Sequence, residues 1–328
     1  MTERVFLHVG PHKTGTTFLQ AVLRSNREAL VEDGVLFPPA RYKAQRQAVL
    51  EKLGQLPPHL EPTGRWDRLA GKVAAWQGRT ALVSHERLAA ASPEQVESVL
   101  ESLAPAAVHV VYGARDLSRV IPGLWQTRLR NGATETWREF LAAVRDGDDW
   151  PGLWAEHDPR RALASWERFV PRERFHVLTV PPSAAPEELW RRFSTVVGLR
   201  PERYHVSMPV TSDSLGVAET ELLRQLNVRL ARTRGGDYGR EVRRKVVRPV
   251  LVRRAGRRYA LPESEHGWLR ARVQEHIDFL RGYDVTGDLA DLQLARPSGV
   301  APDDVEPQEV TDAAVDVVAF LQSAETGD

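Results

Sequence analysis

Apolar residues in this chain gather into runs of strand length that alternate with segments of helical spacing. Residues 5–9 form the first run. It breaks at Gly10, passes a loop holding a second glycine at Gly15, and re-emerges with Phe18, Leu19, Val22 and Leu23 on one helical face. This pattern predicts a strand, a glycine-bounded loop and a helix over 16–31. Residues 33–39 then read as a turn and a short extended piece, and residues 40–78 as helix broken at Pro57-Pro58 and Gly64. A second buried strand is predicted at 80–84, ending in His85-Glu86, and Ser92-Pro93 opens a capped helix. A third strand at 108–113 leads through Arg115 into a helix that runs to about Leu129. Further helices follow at 134–146 and 157–169. A fourth strand, 174–180, is stopped by Pro181-Pro182 and followed by a helix over 187–197. Strands alternating with helices imply right-handed crossovers and a parallel sheet.

Beyond residue 200 the spacing is helical only. Leu215, Ala218, Leu222, Leu226 and Leu230 keep one apolar face, residues 240–258 form an arginine-dense amphipathic segment, and 268–280 is a further helix. Residues 296–310 are rich in Pro, Asp and Glu, and 310–321 fits a short acidic helix able to dock on the basic segment. The expected organisation is an α/β core over 1–200, a helical part over 201–295, and a linker with a short helix over 296–328.

The first loop carries the chemistry. Backbone N–H groups in a strand–loop–helix turn, with those of the helix start, form an anion site suited to phosphate. Lys13 adds a mobile charge, and Thr16 and Thr17 add hydroxyl donors. The loop differs from a Walker A sequence, G-x-x-x-x-G-K-[ST], because Thr16 stands at the lysine position after Gly15. Open parallel sheets bind ligands beyond the carboxyl ends of their strands. There the second strand delivers His85 and Glu86, and the third delivers Arg115.

Composition narrows the classes. The chain has 328 residues, enough for a sizeable core, and a formal charge of +1, which predicts neither nucleic-acid nor acidic-membrane binding. Absence of cysteine excludes disulfides, thiol catalysis and cysteine-based metal sites. No apolar stretch nears the roughly 18 residues of a membrane span, and the first strand begins too early for a signal peptide, so a cytoplasmic protein is expected. Lysine is scarce beside arginine, yet one of the few lysines lies in the loop. The basic run at Arg243-Arg244-Lys245 reads as a solvated face.

The segment Pro11-His12-Lys13-Thr14-Gly15-Thr16-Thr17 resembles the 5′-phosphosulfate loop, P-K-[SA]-G-[ST]-T, of sulfotransferases that use 3′-phosphoadenosine 5′-phosphosulfate (PAPS). The resemblance implies a three-layer, P-loop-NTPase-like α/β fold with a central parallel sheet and a helical C-terminal extension. It implies sulfuryl transfer from PAPS to a hydroxyl acceptor without a metal, leaving 3′-phosphoadenosine 5′-phosphate (PAP). Pro11 to Thr17 would bind the donor, and Arg115 matches the arginine of the family's 3′-phosphate segment, R-[ND]-P-x(5)-S. Leu117 replaces that segment's proline and Gly123 its serine. Lys13 would meet charge on the departing oxygen. Glu86, as in the carbohydrate-acting members, or His85, as in small-molecule members, would be the base. The segment 234–237 faintly echoes a later family phosphate motif, and Trp125, Gln126, Trp150, Trp154 and Trp166 are candidate acceptor-site residues. A small-molecule kinase and an inactive nucleotide-binding module are the alternative readings. The acceptor's identity and the oligomeric state stay open.

Overall fold

The computed structural model describes residues 1–38, 43–147, 152–182, 186–207, 214–230, 241–254, 256–296 and 299–325. It divides into two compact units, neither contiguous in sequence. One comprises Met1–Asp116, Gly152–Pro209 and Arg272–Gln293; the other comprises Leu117–Pro151, Val210–Ala271 and Leu294–Asp328.

The first unit is α/β. Strand β1 (Arg4–Gly10) leads to helices α1 (Thr16–Ser25) and α2 (Arg27–Glu32), then to β2 (Val35–Leu36), α3 (Ala44–Lys52) and α4 (Arg65–Ala75). Next come β3 (Thr80–Ser84), α5 (Pro93–Leu103) and β4 (Ala107–Ala114). Helices α6 (Leu117–Arg130) and α7 (Trp137–Asp146) belong to the second unit. The chain then supplies α8 (Leu153–His157), α9 (Pro159–Glu167), β5 (Phe175–Thr179), α10 (Pro186–Val197) and, after α11 (Val217–Leu230), β6 (Asp284–Thr286). The six strands form one sheet in the order β2-β3-β1-β4-β5-β6, every pair parallel. β1 is thus central, and the crossovers change direction around it, which is where doubly wound sheets bind ligands.

Side chains alternate across the strands. Phe6, Leu82, Val111 and Leu178 pack one face of the sheet into a core with Leu23 of α1 and Phe193 of α10. Full burial of each such side chain contributes about 1.5–3 kcal/mol. The expected capped helix is α5, where Ser92 and Gln95 form a reciprocal capping box.

Three local features differ from the sequence pattern. The first helix is interrupted at Asn26, whose amide donates to Val22 O and to His205 O, both at 2.8 Å, and accepts His205 N–H at 2.8 Å. An asparagine that bonds main chain on both sides competes with the helix ladder. β6 pairs with β5 but is three residues long, too short to leave a period-two signature. The arginine-dense segment holds a π-type turn (Arg243–Val247) and a 3₁₀ turn (Leu251–Arg253) instead of one helix, with Pro249 and Gly256 breaking it.

In the second unit Trp125 packs against Trp137 and Tyr259, ring centroids 5.4 and 6.2 Å away. The helix Pro307–Glu325 docks on the basic segment, as its charge pattern predicts. Arg257 pairs with Glu309 at 2.6 Å, and Arg254 reaches Asp316 while holding the fully buried Glu219 at 2.7 Å. No helix among the described residues is long and apolar enough to cross a membrane.

The end of β5 is tied down by charge. Arg192 of α10 donates to Thr179 O and Oγ1 (3.0 and 2.8 Å), to Asp291 (2.5 Å) and to Glu188 (2.8 Å). Bonds from Arg191 first, and from Arg192, pull the Glu188 carboxyl down to about 2 against the effect of burial. Arg192→Met leaves the partly buried Asp291 without this guanidinium and Glu188 with Arg191 alone, and should cost about 2–3 kcal/mol at pH 7. A carboxyl depressed on folding stabilises above its unfolded pKa and loses that contribution as pH falls through the folded one. Urea melts should therefore show the gap between variant and native protein narrowing below pH 4.5, by the share of the Glu188 shift that Arg192 supplies.

Candidate functional site at the end of the central strand

The loop after β1 is built by residues in left-handed backbone: Gly10 (φ +89°), Lys13 (φ +68°) and Gly15 (φ +85°). Gly10 has no room for a side chain, because a Cβ there would lie 2.5 Å from Glu86 Cα. The loop is thereby pressed against the end of β3. It meets β4 equally closely: a Cβ on Gly113 would lie 2.7 Å from Thr14 Oγ1 and 3.0 Å from Gly10 O. Thr14 is buried and donates its hydroxyl to Pro11 O at 2.6 Å. Arg115, just past β4, donates from Nη1 to Lys13 O at 2.6 Å. α1 begins at Thr16, its first ladder bond running from Leu19 N to Gly15 O at 3.1 Å. The N–H groups of that first turn have no acceptor within the helix and form its positive end. Thr16 is buried, Thr17 exposed, and Lys13 and Arg115 half-buried.

The loop's other neighbours are acidic. His12 Nδ1 lies 2.5 Å from Glu156 Oε2, which also accepts the His12 backbone N–H at 3.3 Å. His12 Nε2 faces Glu86 Oε1 at 3.6 Å. Glu156 comes from α8 and is 6 % exposed, and Tyr112 of β4 donates its hydroxyl to Glu156 O at 3.0 Å. Arg87 Nη1 stands 3.8 Å from Glu156 Oε1. Burial pushes the His12 pKa down, but the bond to Glu156 and the charges of Glu156 and Glu86 outweigh it and leave it raised. The same pairing lowers the Glu156 carboxyl against its own burial. Glu86 is likewise pushed up by burial and pulled down further by the imidazoles of His85 and His12.

His85 is placed differently. It is 3 % exposed, and its Nδ1 accepts Arg87 N–H at 3.1 Å, capping the 3₁₀ turn Glu86–Ala90. Its Nε2 meets no partner among the described residues, and burial lowers its pKa to about 4. At neutral pH this ring is uncharged, and His12, whose pKa is raised, is the imidazole whose protonation would place positive charge beside Glu86.

The structure brings Pro11, His12, Lys13, Thr14, Gly15, Thr16, Thr17, Glu86, His85 and Arg115 together around the ends of β1, β3 and β4. Of the tryptophan candidates, Trp154 lies under Arg272, 4.8 Å from its centroid, and Trp166 donates to Leu88 O; both are buried. Trp125 and Gln126 are buried in the second unit, where Gln126 donates to Leu215 O. Trp150 and the 234–237 segment lie outside the described residues. His8 bonds Ser84 Oγ at 2.8 Å and His109 meets His176 at 3.1 Å, both within the sheet. Among the described residues no group of three or more His, Cys, Asp or Glu side chains is arranged to hold a metal ion.

Sequence reasoning missed Glu156 and Tyr112. Glu156 sits 144 positions from its partner, so no spacing connects them. The available signal was the acidic and imidazole run Glu156-His157-Asp158 wedged between Leu153-Trp154 and Pro159, a composition that demands buried partners.

No family model matches the chain, and no curated protein does. Among solved structures it is similar to a sulfotransferase from Alicyclobacillus acidocaldarius, with 15% identity, coverage of 73% of this chain and 100% of that one, and a TM-score of 0.39.

The contact between Gly10 and Glu86 carries a direct consequence. Gly10→Ala puts an L-residue into left-handed backbone and forces the β3 end outward, and should cost about 2–4 kcal/mol. Thermal unfolding would measure that loss, and the accompanying shift of Glu86 would appear as a fall in the His12 pKa by imidazole NMR.

Proposed function

We propose that this protein is a sulfotransferase that moves the sulfuryl group of PAPS to a hydroxyl of a small-molecule, sugar or lipid acceptor by in-line displacement. The observation that carries the reading is the loop itself: a backbone turned by Gly10, Lys13 and Gly15 at the end of a central parallel strand, with Arg115 bound to Lys13 O and Glu86 across from it. Backbone N–H groups from Lys13 to Thr17 suit the 5′-phosphosulfate. Thr17 is exposed and can offer its hydroxyl as a donor, whereas that of Thr14 is spent on Pro11 O. A guanidinium has five N–H donors in a planar fork, so an arginine bracing the loop also has the chemistry to bind a 3′-phosphate.

Bound PAPS supplies an activated sulfuryl group and a nucleotide leaving group. On this reading Lys13 meets the negative charge growing on the departing oxygen, work that a flexible ammonium performs without a metal. Glu86 takes the acceptor's proton. It is preferred to His85 because the His85 Nδ1 lone pair already accepts Arg87 N–H, which leaves a neutral ring with its proton on Nε2 and no lone pair to offer. The kinase alternative lacks the lysine after Gly15 that holds β- and γ-phosphates.

Calorimetry should find PAP bound at least about tenfold, or 1.4 kcal/mol, more tightly than ADP, and more tightly than Mg·ATP. Arg115→Ala should abolish the preference of PAP over ADP; the ratio cancels any general loosening of the loop. Mg·ATP binding best would favour the kinase. With any acceptor that turns over, Lys13→Ala should lower kcat by about 10²–10³-fold, and near-native turnover would refute the assigned role.

A further inference from the structure

His12 has a carboxylate on each side. Glu156 Oε2 is 2.5 Å from Nδ1 and also holds the backbone N–H, while Glu86 Oε1 is 3.6 Å from Nε2. An ionised carboxylate only accepts hydrogen bonds, so Nδ1 must carry a proton and the ring is fixed with Nε2 toward Glu86. The charged and titratable groups around the ring are Glu86, His85 and Arg87 from the end of β3, and Glu156 and His157 from α8. Burial holds the pKa of His85 at about 4 and that of His157 at about 3. Both are uncharged near neutrality, which leaves His12, flanked by two carboxylates and raised by them, as the imidazole of the cluster able to carry positive charge.

Glu86 has a difficulty that this arrangement answers. It is mostly buried, which favours the protonated carboxyl, and a donor bearing several negative charges would favour it further. A protonated carboxyl takes no proton. Resting on the sulfotransfer reading, we propose that Glu156 and His12 form a positioning pair: Glu156 fixes the ring, and its Nε2 edge keeps Glu86 ionised and oriented while the anionic donor enters the loop. As the acceptor oxygen bonds to sulfur, its proton passes to a Glu86 oxygen and the electron pair of the broken S–O bond leaves with the nucleotide. His12 keeps both its protons throughout, so it is not the base.

The test needs no acceptor. Imidazole ¹⁵N and glutamate carboxyl ¹³C spectra of the full chain, alone and with PAP, report both partners, with Glu86→Gln giving the assignment. In the native protein His12 should be protonated on both nitrogens at pH 7, and Glu86 ionised with PAP bound. In Glu156→Gln the His12 pKa should fall by about one unit or more, a tenfold change in protonation. The Glu86 carboxyl should then rise by a similar amount once PAP is bound, with PAP affinity little altered. His12→Gln should raise Glu86 likewise, and it carries the comparison if Glu156→Gln does not fold. A merely structural pair would weaken PAP binding without moving the Glu86 titration, and that result overturns the proposal. So does a His12 that is neutral at pH 7 in the native protein. If PAP fails to bind, the sulfotransfer reading falls, and the apo titrations still decide whether His12 controls Glu86: an unmoved carboxyl overturns the pair.

Discussion

Three strand ends in mutual contact set the geometry of this site. β1 lies between β3 and β4, and its register with β4 slips by one residue between His8 and Gly10. An extra residue in one strand bends it locally. The bend brings Gly10 against Glu86 Cα on one side and its carbonyl against Gly113 on the other, distances that only glycine tolerates at both positions. Arg115 closes the arrangement through Lys13 O. The loop therefore cannot shift without moving the Glu86 backbone, and the spacing between loop and Glu86 Cα is a property of the sheet.

Electrostatics adds a second constraint. A buried carboxylate such as Glu156 loses its hydration, and an unpaired one would be strongly destabilising. His12 offsets that loss twice, through its ring and its backbone N–H. The linkage has two signs. The raised imidazole stabilises fully below its unfolded pKa of 6.5 and loses that contribution as pH rises through its folded value. The lowered carboxyl stabilises above 4.5 and loses its contribution as pH falls through its folded value. The pair is thus most effective between those limits, with Glu86 ionised beside it. His8, His85 and His157, all held low by burial, contribute polar edges without charge.

Most of the core was legible because burial on both faces of a parallel sheet writes continuous apolar runs. The strand at 80–84 is visible from residue types alone, and so is the cap at Ser92. The loop was legible because glycine spacing and lysine leave a chemical signature in a short window. Elements fixed by partners far away in sequence were not. β6 exists because β5 offers it a ladder, and the break at Asn26 exists because His205 supplies both bonding groups. Glu156 belongs to the same class: the run Glu156-His157-Asp158 signals a need for buried partners, but the partner is a histidine in a loop 144 positions away, which no spacing identifies.

Lys13 is where backbone and chemistry meet. It is the non-glycine residue with positive φ among the described residues, and an L side chain in left-handed backbone costs about 1–2 kcal/mol. Glycine would hold the same turn without that strain, and asparagine with less of it. Arg115 on its carbonyl helps hold the conformation. What a lysine adds over those residues is its ammonium, delivered from a backbone position that the strand ends fix. Strain retained at one residue of a loop points toward a use for its side chain. On the sulfotransfer reading the use is specific. A cation on a flexible stem can follow charge from the sulfuryl group to the departing oxygen, whereas the Walker A lysine, set after the second glycine, is placed to hold a triphosphate chain.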